Sequence, residues 1–451
     1  MWRRSWPSAT LPSWAIEPRR LIVAKVRPNV ALLSILTLAL VLRLLWVLRA
    51  ETVPPPTGDP QWYFAVASNL AAGHGFTVSL TDQGWTPGPG GEPTTLLPPG
   101  WPTTLAASFV IFGTGLLTAK LVNVLAGVIT VYLVYRIGEL SLGRTVALIG
   151  ALILALYPNH IIWSSTLFSD IYFTMWFSTA ICLLLRTSRW RGIQAFVGAG
   201  AVGAVTGVAA LTRGQGVVLL LVAAVFWLVL CGRRDTLVRT AAASLAAVAV
   251  IAPWTVRNLV TFEAPIVIAA NDGYNLRIGH SPYATGRYIL PHDLWDAEPG
   301  ITMKEREILF SRLGRERAVD YALSHPREEL VLALKKLYYL TIPDSDSIAW
   351  ANVASSPVAP SWVLESLARL AAAYYWALLL FAAVALTRLR SVTPVRLMGV
   401  TLALWAVFHI AFFGEPRYHI PLLPPLALLA ATGLRELWRL WYADRRVAPA
   451  A

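Results

Sequence analysis

Ten apolar runs, each close to the length that crosses a bilayer, dominate this chain of 451 residues. A membrane-spanning helix needs about 20 consecutive apolar residues, because the hydrocarbon core is about 30 Å thick. Only helices and closed barrels satisfy every backbone hydrogen bond in lipid. The pattern therefore predicts an all-α polytopic membrane protein with about ten transmembrane helices. The predicted spans are 29–49, 118–138, 145–163, 166–186, 193–212, 215–231, 237–256, 362–387, 394–413 and 420–441.

Composition supports the membrane assignment and excludes other classes. Hydrophobic residues make up 56% of the chain and charged residues only 14%, whereas soluble domains carry about 25% charged residues. The net charge of +13 is a feature that also occurs in nucleic-acid-binding proteins. Here the basic residues lie in short loops between apolar runs, so membrane topology explains them. We therefore expect membrane lipids as partners and no nucleic acid.

The distribution of Lys and Arg predicts the orientation. Between Ala50 and Ala119 the chain has no Lys or Arg, and loops that carry positive charge are retained in the cytoplasm. We expect this first loop outside the cytoplasmic membrane, with the active site facing outwards and both termini in the cytoplasm. The run 101–113 is interpreted as a helix in the outer interface, because counting it as a span would put the later basic loops outside. Long translocated segments such as 257–361 escape the charge rule.

The same reasoning divides the chain into five parts. The first apolar run lacks a clear cleavage site and is interpreted as an uncleaved anchor. In the outer segment, Met303–Leu323 and Glu328–Leu340 have the apolar spacing of helices. The parts are a basic cytoplasmic tail (1–28), a transmembrane module (29–256) that contains the first outer loop (50–117), an extracytoplasmic segment (257–361), C-terminal transmembrane helices (362–441) and a cytoplasmic tail (442–451).

Two carboxylates are candidates for chemistry. Asp59 lies in the first outer loop, directly before Pro60, and Asp followed by Pro is typical of a helix start. Capping alone explains Asp59, but a carboxylate that caps a helix through one oxygen can still accept a proton through the other. Asp170 opens the fourth predicted span at the outer face. For it, too, both a cap and a functional ionisable group in the membrane remain open.

Cations form a second candidate group on the same side as Asp59. Arg and Lys at this depth can bind a phosphate group and stabilise negative charge on it. The alternative is snorkelling, in which the stem lies in the apolar zone and only the charge reaches the interface. We favour phosphate binding, first for Arg257 and Arg417, whereas Arg43 has the alternative of pairing with a carboxylate. The whole group is Arg43, Lys120, Arg213, Arg257 and Arg417.

Several short motifs follow one another along the chain. They are Asp59-x-x-x-Tyr63 with Gly73-His74-Gly75-Phe76, Pro98-Pro99-Gly100-Trp101-Pro102, Phe112-Gly113, Ala119-Lys120-Leu121, Leu211-Thr212-Arg213, Pro253-Trp254-Thr255-Val256-Arg257-Asn258 and Arg417-Tyr418-His419-Ile420-Pro421. As an ordered set they resemble GT-C glycosyltransferases, in particular bacterial members of glycosyltransferase family 39 and the lipid A aminoarabinose transferases.

This resemblance implies a GT-C fold and a function. Such enzymes move one hexosyl or pentosyl group from a polyprenyl-phosphate carrier to an acceptor lipid, glycan or protein, with inversion at the sugar carbon. The acidic residue that activates the acceptor hydroxyl maps onto Asp59, and a second carboxylate that often shares the site maps onto Asp170. Tyr63, His74 and Tyr418 are expected at the substrate. The histidines lack metal-ligand spacing, and assistance by a divalent cation stays open.

Two other functions remain alternatives. A transporter or lipid flippase is favoured by internal repeats or by broken spans in related halves, and the sequence has no convincing repeat. A non-catalytic envelope assembly protein would use Asp59 only as a cap. One departure from the family also matters: Leu97 occupies the position of a phosphate-contacting Lys in the aminoarabinose transferases, so we do not infer the sugar or acceptor of those enzymes.

Overall fold

A computed structural model describes residues 30–50, 53–54, 58–296, 300–352 and 358–447. The tail predicted for 1–28 and the last residues of the tail predicted for 442–451 lie outside this part. The described helices are α1 (Val30–Arg49), α2 (Asp59–Ala71), α3 (Gly100–Phe112), α4 (Leu116–Ser141), α5 (Arg144–Leu156), α6 (Pro158–Ile162), α7 (Asp170–Thr187), α8 (Gly192–Thr212), α9 (Val218–Cys231), α10 (Arg233–Phe262), α11 (Asn271–Gly279), α12 (His292–Trp295), α13 (Met303–Ser324), α14 (Pro326–Thr341), α15 (Asp346–Ala351), α16 (Ser361–Arg388), α17 (Thr393–Ile410) and α18 (Leu423–Val447).

Eight described helices are long and apolar enough to cross a membrane, namely α1, α4, α8, α9, α10, α16, α17 and α18, with α9 and α18 counted together with the 3-10 turns before them. α5 and α6 form a ninth candidate that is broken by a bend of 62°. The remaining predicted span is α7, which has 18 residues and polar or charged side chains along it. The all-α polytopic class is confirmed, with eight or nine candidate spans in the described chain instead of ten.

The seventh predicted span is longer than the sequence indicates. α10 has 30 residues, contains Pro253 and ends at Phe262, whereas the apolar run predicts an end at residue 256. Glu263 then adopts a left-handed conformation with φ of 56°, which is a common way for a helix to end. Arg257 is therefore inside the helix and not at the start of the outer segment.

Glycine allows α8 to pack closely on α10. Gly203 and Gly207 are one helical turn apart, and this small-residue spacing lets membrane helices approach closely. A Cβ atom at position 207 would lie 2.8 Å from Cβ of Val250 and 3.0 Å from the Ala247 carbonyl oxygen, and a Cβ at position 203 would overlap the backbone of Ala243.

The first outer loop contains a small sheet that the sequence does not predict. β1 (Thr77–Thr81) pairs antiparallel with β2 (Gly84–Thr86) on one side and with β3 (Glu92–Pro93) on the other. The sheet is flanked by α2 and α3, the two helices expected in this loop. Asn69 of α2 joins the parts, because its amide donates to the Thr77 carbonyl at 2.9 Å and accepts from the Gly88 amide at 2.7 Å.

The outer segment is helical where its apolar spacing predicts helices. α13 and α14 cover the two predicted stretches with ends that differ by at most two residues. Thr302 and Glu305 form a capping box at the start of α13, in which each side chain satisfies a backbone N–H of the first turn. The segment thus supplies rigid elements beside the first outer loop.

The α8–α10 contact makes a direct prediction about stability. Gly203→Val should lower the melting temperature of the purified protein, because overpacking costs about 1–3 kcal/mol. Gly200→Val is the control in the same helix, since a Cβ atom there meets nothing within 4 Å. Thermal unfolding in detergent compares the two variants, which carry the same penalty in helix propensity. Equal melting temperatures would show that the packing is not tight.

The orientation is tested by labelling single cysteines in a background of Cys182→Ser and Cys231→Ser. Thr81→Cys and Leu323→Cys lie on exposed parts of the first outer loop and of α13, and Arg189→Cys lies on the exposed turn between α7 and α8. We expect an impermeant maleimide to label the first two on intact cells, and Arg189→Cys only after permeabilisation. Labelling of Arg189→Cys on intact cells would mean that the topology is the reverse of the predicted one.

Candidate active site

Asp59 is the first residue of α2, and Gly58 is the N-cap. The prediction that Asp59 is the N-cap is therefore wrong by one residue: no side chain caps α2, and Pro60 follows in the first turn. A carboxylate in the first turn is still favourable, because the N-terminus of a helix carries partial positive charge. As a whole residue Asp59 is half-buried, and its side chain makes no capping hydrogen bond.

Asp170 lies at the start of α7 and is paired with Arg213. Its side chain is almost completely buried, and Oδ2 is 2.8 Å from Nη1 of Arg213. The same Nη1 lies 3.4 Å from the Ser169 hydroxyl. Arg213 belongs to the turn between α8 and α9, so the pair joins two parts of the helix bundle. The structure brings these two predicted residues together.

Arg417 contributes a second cation. It lies in the 3-10 turn Pro416–Leu422, and its guanidinium is 4.7 Å from the ring centroid of Phe168 and 5.5 Å from that of Tyr418. Among the described residues, no carboxylate lies within 4.0 Å of Arg417 as an ion-pair partner. Aromatic faces attract a guanidinium without neutralising it, so its charge stays available.

These four charged groups share one electrostatic environment. Burial raises the pKa of Asp59 above its usual range, and the charge of Asp170 acts in the same direction. The charges of Arg417 and Arg213 oppose this rise in the pKa. The charges of Asp170, Arg213 and Arg417 therefore all act on Asp59.

Tyr63 and Tyr418 also belong to this site. The hydroxyl of Tyr63 lies 3.4 Å from that of Ser169, and the Asp59 charge contributes to a raised pKa of Tyr63 after burial, which is the main cause. The Tyr418 ring faces Arg213 as well as Arg417, with its centroid 5.5 Å from each guanidinium. Both tyrosines are thus near the charged groups, and their contact with substrate stays a prediction.

Sequence analysis missed the tyrosines that the outer segment brings to the site. Tyr274 and Tyr288 lie with their hydroxyls 3.3 Å apart, and their pKa values are raised mainly by burial and also by the charge of Asp59. The backbone amide of Tyr288 donates to Glu415 at 2.7 Å, and Arg287 pairs with the same carboxylate. No spacing in the sequence marks these residues, because the fold alone brings the outer segment next to α2.

Arg43 does not reach the charged cluster. It is fully buried in α1, and its guanidinium donates to the carbonyls of Leu154 and Ala155 at the end of α5 and lies 2.8 Å from Nδ1 of His160. A cation at a helix C-terminus satisfies carbonyls that have no helical partner. The phosphate-binding prediction is therefore wrong for Arg43, which instead stabilises the break between α5 and α6.

Lys120 and His74 also lie apart from the cluster. The buried ammonium of Lys120 donates to the Ala50 carbonyl at 2.8 Å, just after α1, so the end of α1 accounts for its position. His74 occupies the exposed turn between α2 and β1, where its carbonyl accepts from the Thr77 hydroxyl. Neither position supports the predicted contact with substrate.

Arg257 has a different role from the predicted one. Its guanidinium donates to the carbonyls of Thr94 and Phe76, at 3.0 and 3.2 Å, and lies 4.8 Å from the centroid of Trp254. Glu307 of α13 holds the same stretch, because its carboxylate accepts from the Thr94 hydroxyl at 2.5 Å and from the Thr95 amide at 2.7 Å. The backbone of the first outer loop therefore occupies Arg257, which leaves its guanidinium little capacity for a phosphate.

A divalent cation is the cofactor that the sequence analysis leaves open. Metal ions of the magnesium type need several oxygen ligands, and the described residues contain no group of three or more potential metal ligands. Asp170 is already paired with Arg213. We therefore derive no step that involves a metal ion.

Comparisons with known proteins give one family match and several structures of similar fold. Residues 97–256 match the family described as dolichyl-phosphate-mannose-protein mannosyltransferase, and no curated protein matches the chain. The archaeal oligosaccharyltransferase AglB from Archaeoglobus fulgidus, in complex with an inhibitory peptide and a dolichol-phosphate, is similar with a TM-score of 0.55 and 15% identity, over 93% of this chain and 52% of AglB. The fold of this chain is thus similar to that of the archaeal oligosaccharyltransferase.

Two further structures complete the comparison. The Archaeoglobus fulgidus oligosaccharyltransferase tethered with an acceptor peptide containing the NVT sequon has a TM-score of 0.55 and 16% identity, over 94% of this chain and 51% of its own. ArnT from Cupriavidus metallidurans bound to undecaprenyl phosphate has a TM-score of 0.43 and 17% identity, over 93% of this chain and 80% of its own. The chain spans about half the length of the archaeal enzyme.

The contact between Glu307 and the first outer loop predicts a dependence on pH. Burial raises the pKa of Glu307 to about 8 in the folded protein, so the folded state favours the protonated form. The resulting stabilisation is complete below the pKa of an unfolded glutamate and is lost as the pH rises through about 8. Hydrogen exchange of the Thr94–Thr95 stretch should therefore accelerate more between about pH 6 and pH 9 than its intrinsic rate does.

Two variants check this prediction. Glu307→Gln mimics the protonated carboxyl, and we expect its loop protection to be independent of pH over this range. Glu316→Gln changes an exposed carboxylate of the same helix and should retain the wild-type profile. If all three proteins have the same profile, Glu307 does not control the loop.

Proposed function

We propose that this protein is an integral membrane glycosyltransferase that transfers a sugar from a polyprenyl-phosphate donor to an acceptor at the outer face of the cytoplasmic membrane. One observation supports it above all others: Asp59, partly exposed, shares a site with Arg213 and Arg417 in a GT-C fold. In that site, a carboxylate that can accept a proton from an acceptor hydroxyl lies next to cations that can bind the donor phosphate. The AglB structure in complex with a dolichol-phosphate supports a lipid phosphate as the ligand class.

Asp59 is the better candidate for the general base. An acceptor hydroxyl is a poor nucleophile at neutral pH, so a carboxylate that takes its proton in the transition state lowers the barrier. Asp170 is buried and already paired with Arg213, which keeps it from meeting an acceptor. We assign Asp170 the role of holding Arg213 in place.

Arg417 and Arg213 are assigned to the donor phosphate. In the proposed step the acceptor oxygen forms a bond to the sugar carbon C1 while the bond from C1 to the phosphate oxygen breaks. The hydroxyl proton moves to Asp59, and polyprenyl phosphate leaves with the bonding electron pair. Negative charge grows on the phosphate during this step, and fixed guanidinium groups stabilise it. A single displacement of this kind inverts the configuration at C1.

The outer segment is proposed as the wall of the acceptor site. The charge of Asp59 contributes to the raised pKa values of Tyr274 and Tyr288. Arg287, in the same segment, forms an ion pair with Glu415, two residues before Arg417. An acceptor sugar, lipid or peptide would approach between these tyrosines and α2. Aromatic side chains with a hydroxyl suit such a surface, because they combine an apolar face with a hydrogen-bonding group.

Replacement of Asp59 tests the proposal. Asp59→Asn retains the size of the side chain and removes the basicity, so transfer should fall by about 10²–10⁴-fold. Donor binding should persist, because no phosphate contact is lost. The measurement is transfer from a panel of radiolabelled polyprenyl-phosphate sugars by the purified protein in nanodiscs.

Asp82→Asn is the control for this experiment, because Asp82 is an exposed carboxylate of the same loop in the turn between β1 and β2. It should transfer at the parental rate. Parental transfer by a folded Asp59→Asn variant would exclude Asp59 as the base. Absence of transfer and of donor binding in the parent, over the whole panel, would contradict the proposed function itself. Comparison of the surface glycans of a deletion strain with those of its parent would identify the sugar.

A further inference from the structure

Arg213 is held from several sides. Nη1 pairs with Asp170 at 2.8 Å, Nε donates to Oε1 of Gln215 at 3.0 Å, and the guanidinium lies 5.5 Å from the Tyr418 ring centroid. Among the hydrogen bonds of the described residues, none uses Nη2 of Arg213. Two edges of the planar group are thus engaged, and the third is open.

His409 determines which way the amide of Gln215 points. Nδ1 of His409 lies 2.9 Å from the Trp405 carbonyl, which only accepts, so Nδ1 carries the proton. In a neutral ring, Nε2 then has a lone pair, and it lies 3.4 Å from the amide nitrogen of Gln215. This amide nitrogen donates to His409, and the amide oxygen is left to accept from Arg213. The direction of every hydrogen bond in the chain from Trp405 to Arg213 is therefore defined.

The same histidine also contacts the aromatic side of the site. Its ring centroid is 5.1 Å from that of Tyr418, and the Tyr418 ring faces both Arg213 and Arg417. His409 is almost fully buried, which limits alternative positions of the ring. One side chain of α17 thus supports Arg213 through Gln215 and supports both arginines through Tyr418.

We propose that Gln215 and His409 are positioning residues that hold Arg213 with its Nη2 edge ready for the donor phosphate. The inference rests on the proposed function, because it concerns the same phosphate site. A guanidinium presents its donors in a rigid plane, so fixing two edges fixes the third. A group that is ordered before binding loses less entropy when the phosphate arrives. Neither residue touches the substrate in this arrangement.

Binding of two lipids by the full chain in nanodiscs tests this role. The probes are a polyprenyl monophosphate and the uncharged polyprenol of the same length. Gln215→Met retains the side-chain length and removes both hydrogen bonds. It should weaken binding of the monophosphate about tenfold, because a hydrogen bond that orients the charged guanidinium is lost, and leave binding of the polyprenol unchanged. Gln194→Met, at an exposed position of α8, is the matched control and should bind both lipids like the parent.

Variants of His409 test the second link. Loss of the Nε2 acceptor in His409→Leu should weaken binding of the monophosphate, whereas the amide oxygen of His409→Gln restores an acceptor and should recover most of it. If His409 acts through Gln215, the double variant Gln215→Met/His409→Leu should bind no more weakly than the worse single variant. Additive losses would mean that the two residues act separately.

Two outcomes separate this inference from the proposed function. If Arg213→Ala weakens binding of the monophosphate and Gln215→Met does not, the positioning role is wrong and the phosphate site stands. If Arg213→Ala has no effect, the phosphate assignment itself is wrong. Equal loss of both lipids in Gln215→Met would indicate general disturbance of the fold, and this result also overturns the positioning role.

Discussion

The buried ion pair of Asp170 and Arg213 is the interaction on which the candidate site depends. Removing two charges from water is expensive, and a buried pair is stable only when further hydrogen bonds satisfy it. Ser169 and Gln215 provide such contacts to Arg213. Because loss of one partner would leave an uncompensated buried charge, the start of α7 and the turn after α8 are constrained together.

This constraint also explains why the two carboxylates of the site differ. Asp170 is almost completely buried beside its arginine, whereas Asp59 begins a short helix and is partly exposed. Asp59 has the raised pKa that burial produces, moderated by two nearby cations. In the proposed function, two identical side chains therefore have different tasks, Asp170 to hold an arginine and Asp59 to exchange a proton.

Much of the fold was predictable from the sequence, because lipid imposes a length on every spanning helix. The structure brings Asp59, Asp170, Arg213 and Arg417 together, and their position near predicted helix ends indicates them as candidates in the sequence. Arg43 does not join them, because a cation at such a position can equally satisfy carbonyls of a neighbouring helix, and the sequence does not show which helix is the neighbour. The three-stranded sheet was missed, since its strands are only two to five residues long.

Arg257 illustrates a second limit of prediction. Its motif does not show its partners, because Arg257 and Glu307 lie 163 and 213 residues after Thr94 in sequence, a separation that only the fold bridges. Arg257 binds the carbonyl of Thr94, and Glu307 binds the hydroxyl of the same residue. The first outer loop, which carries Asp59, is thereby joined to the segment that carries Tyr274 and Tyr288.

The short length of α7 has a consequence for how a lipid would meet this protein. Its 18 residues correspond to about 27 Å at 1.5 Å per residue, slightly less than the hydrocarbon thickness of about 30 Å. In the proposed orientation Asp170 and Arg213 would therefore lie no higher than the boundary of the hydrocarbon. A carrier lipid would then diffuse sideways into the protein with its tail still among other tails. The protein would need to bind only the lipid headgroup, because the lipid tail would stay in the membrane.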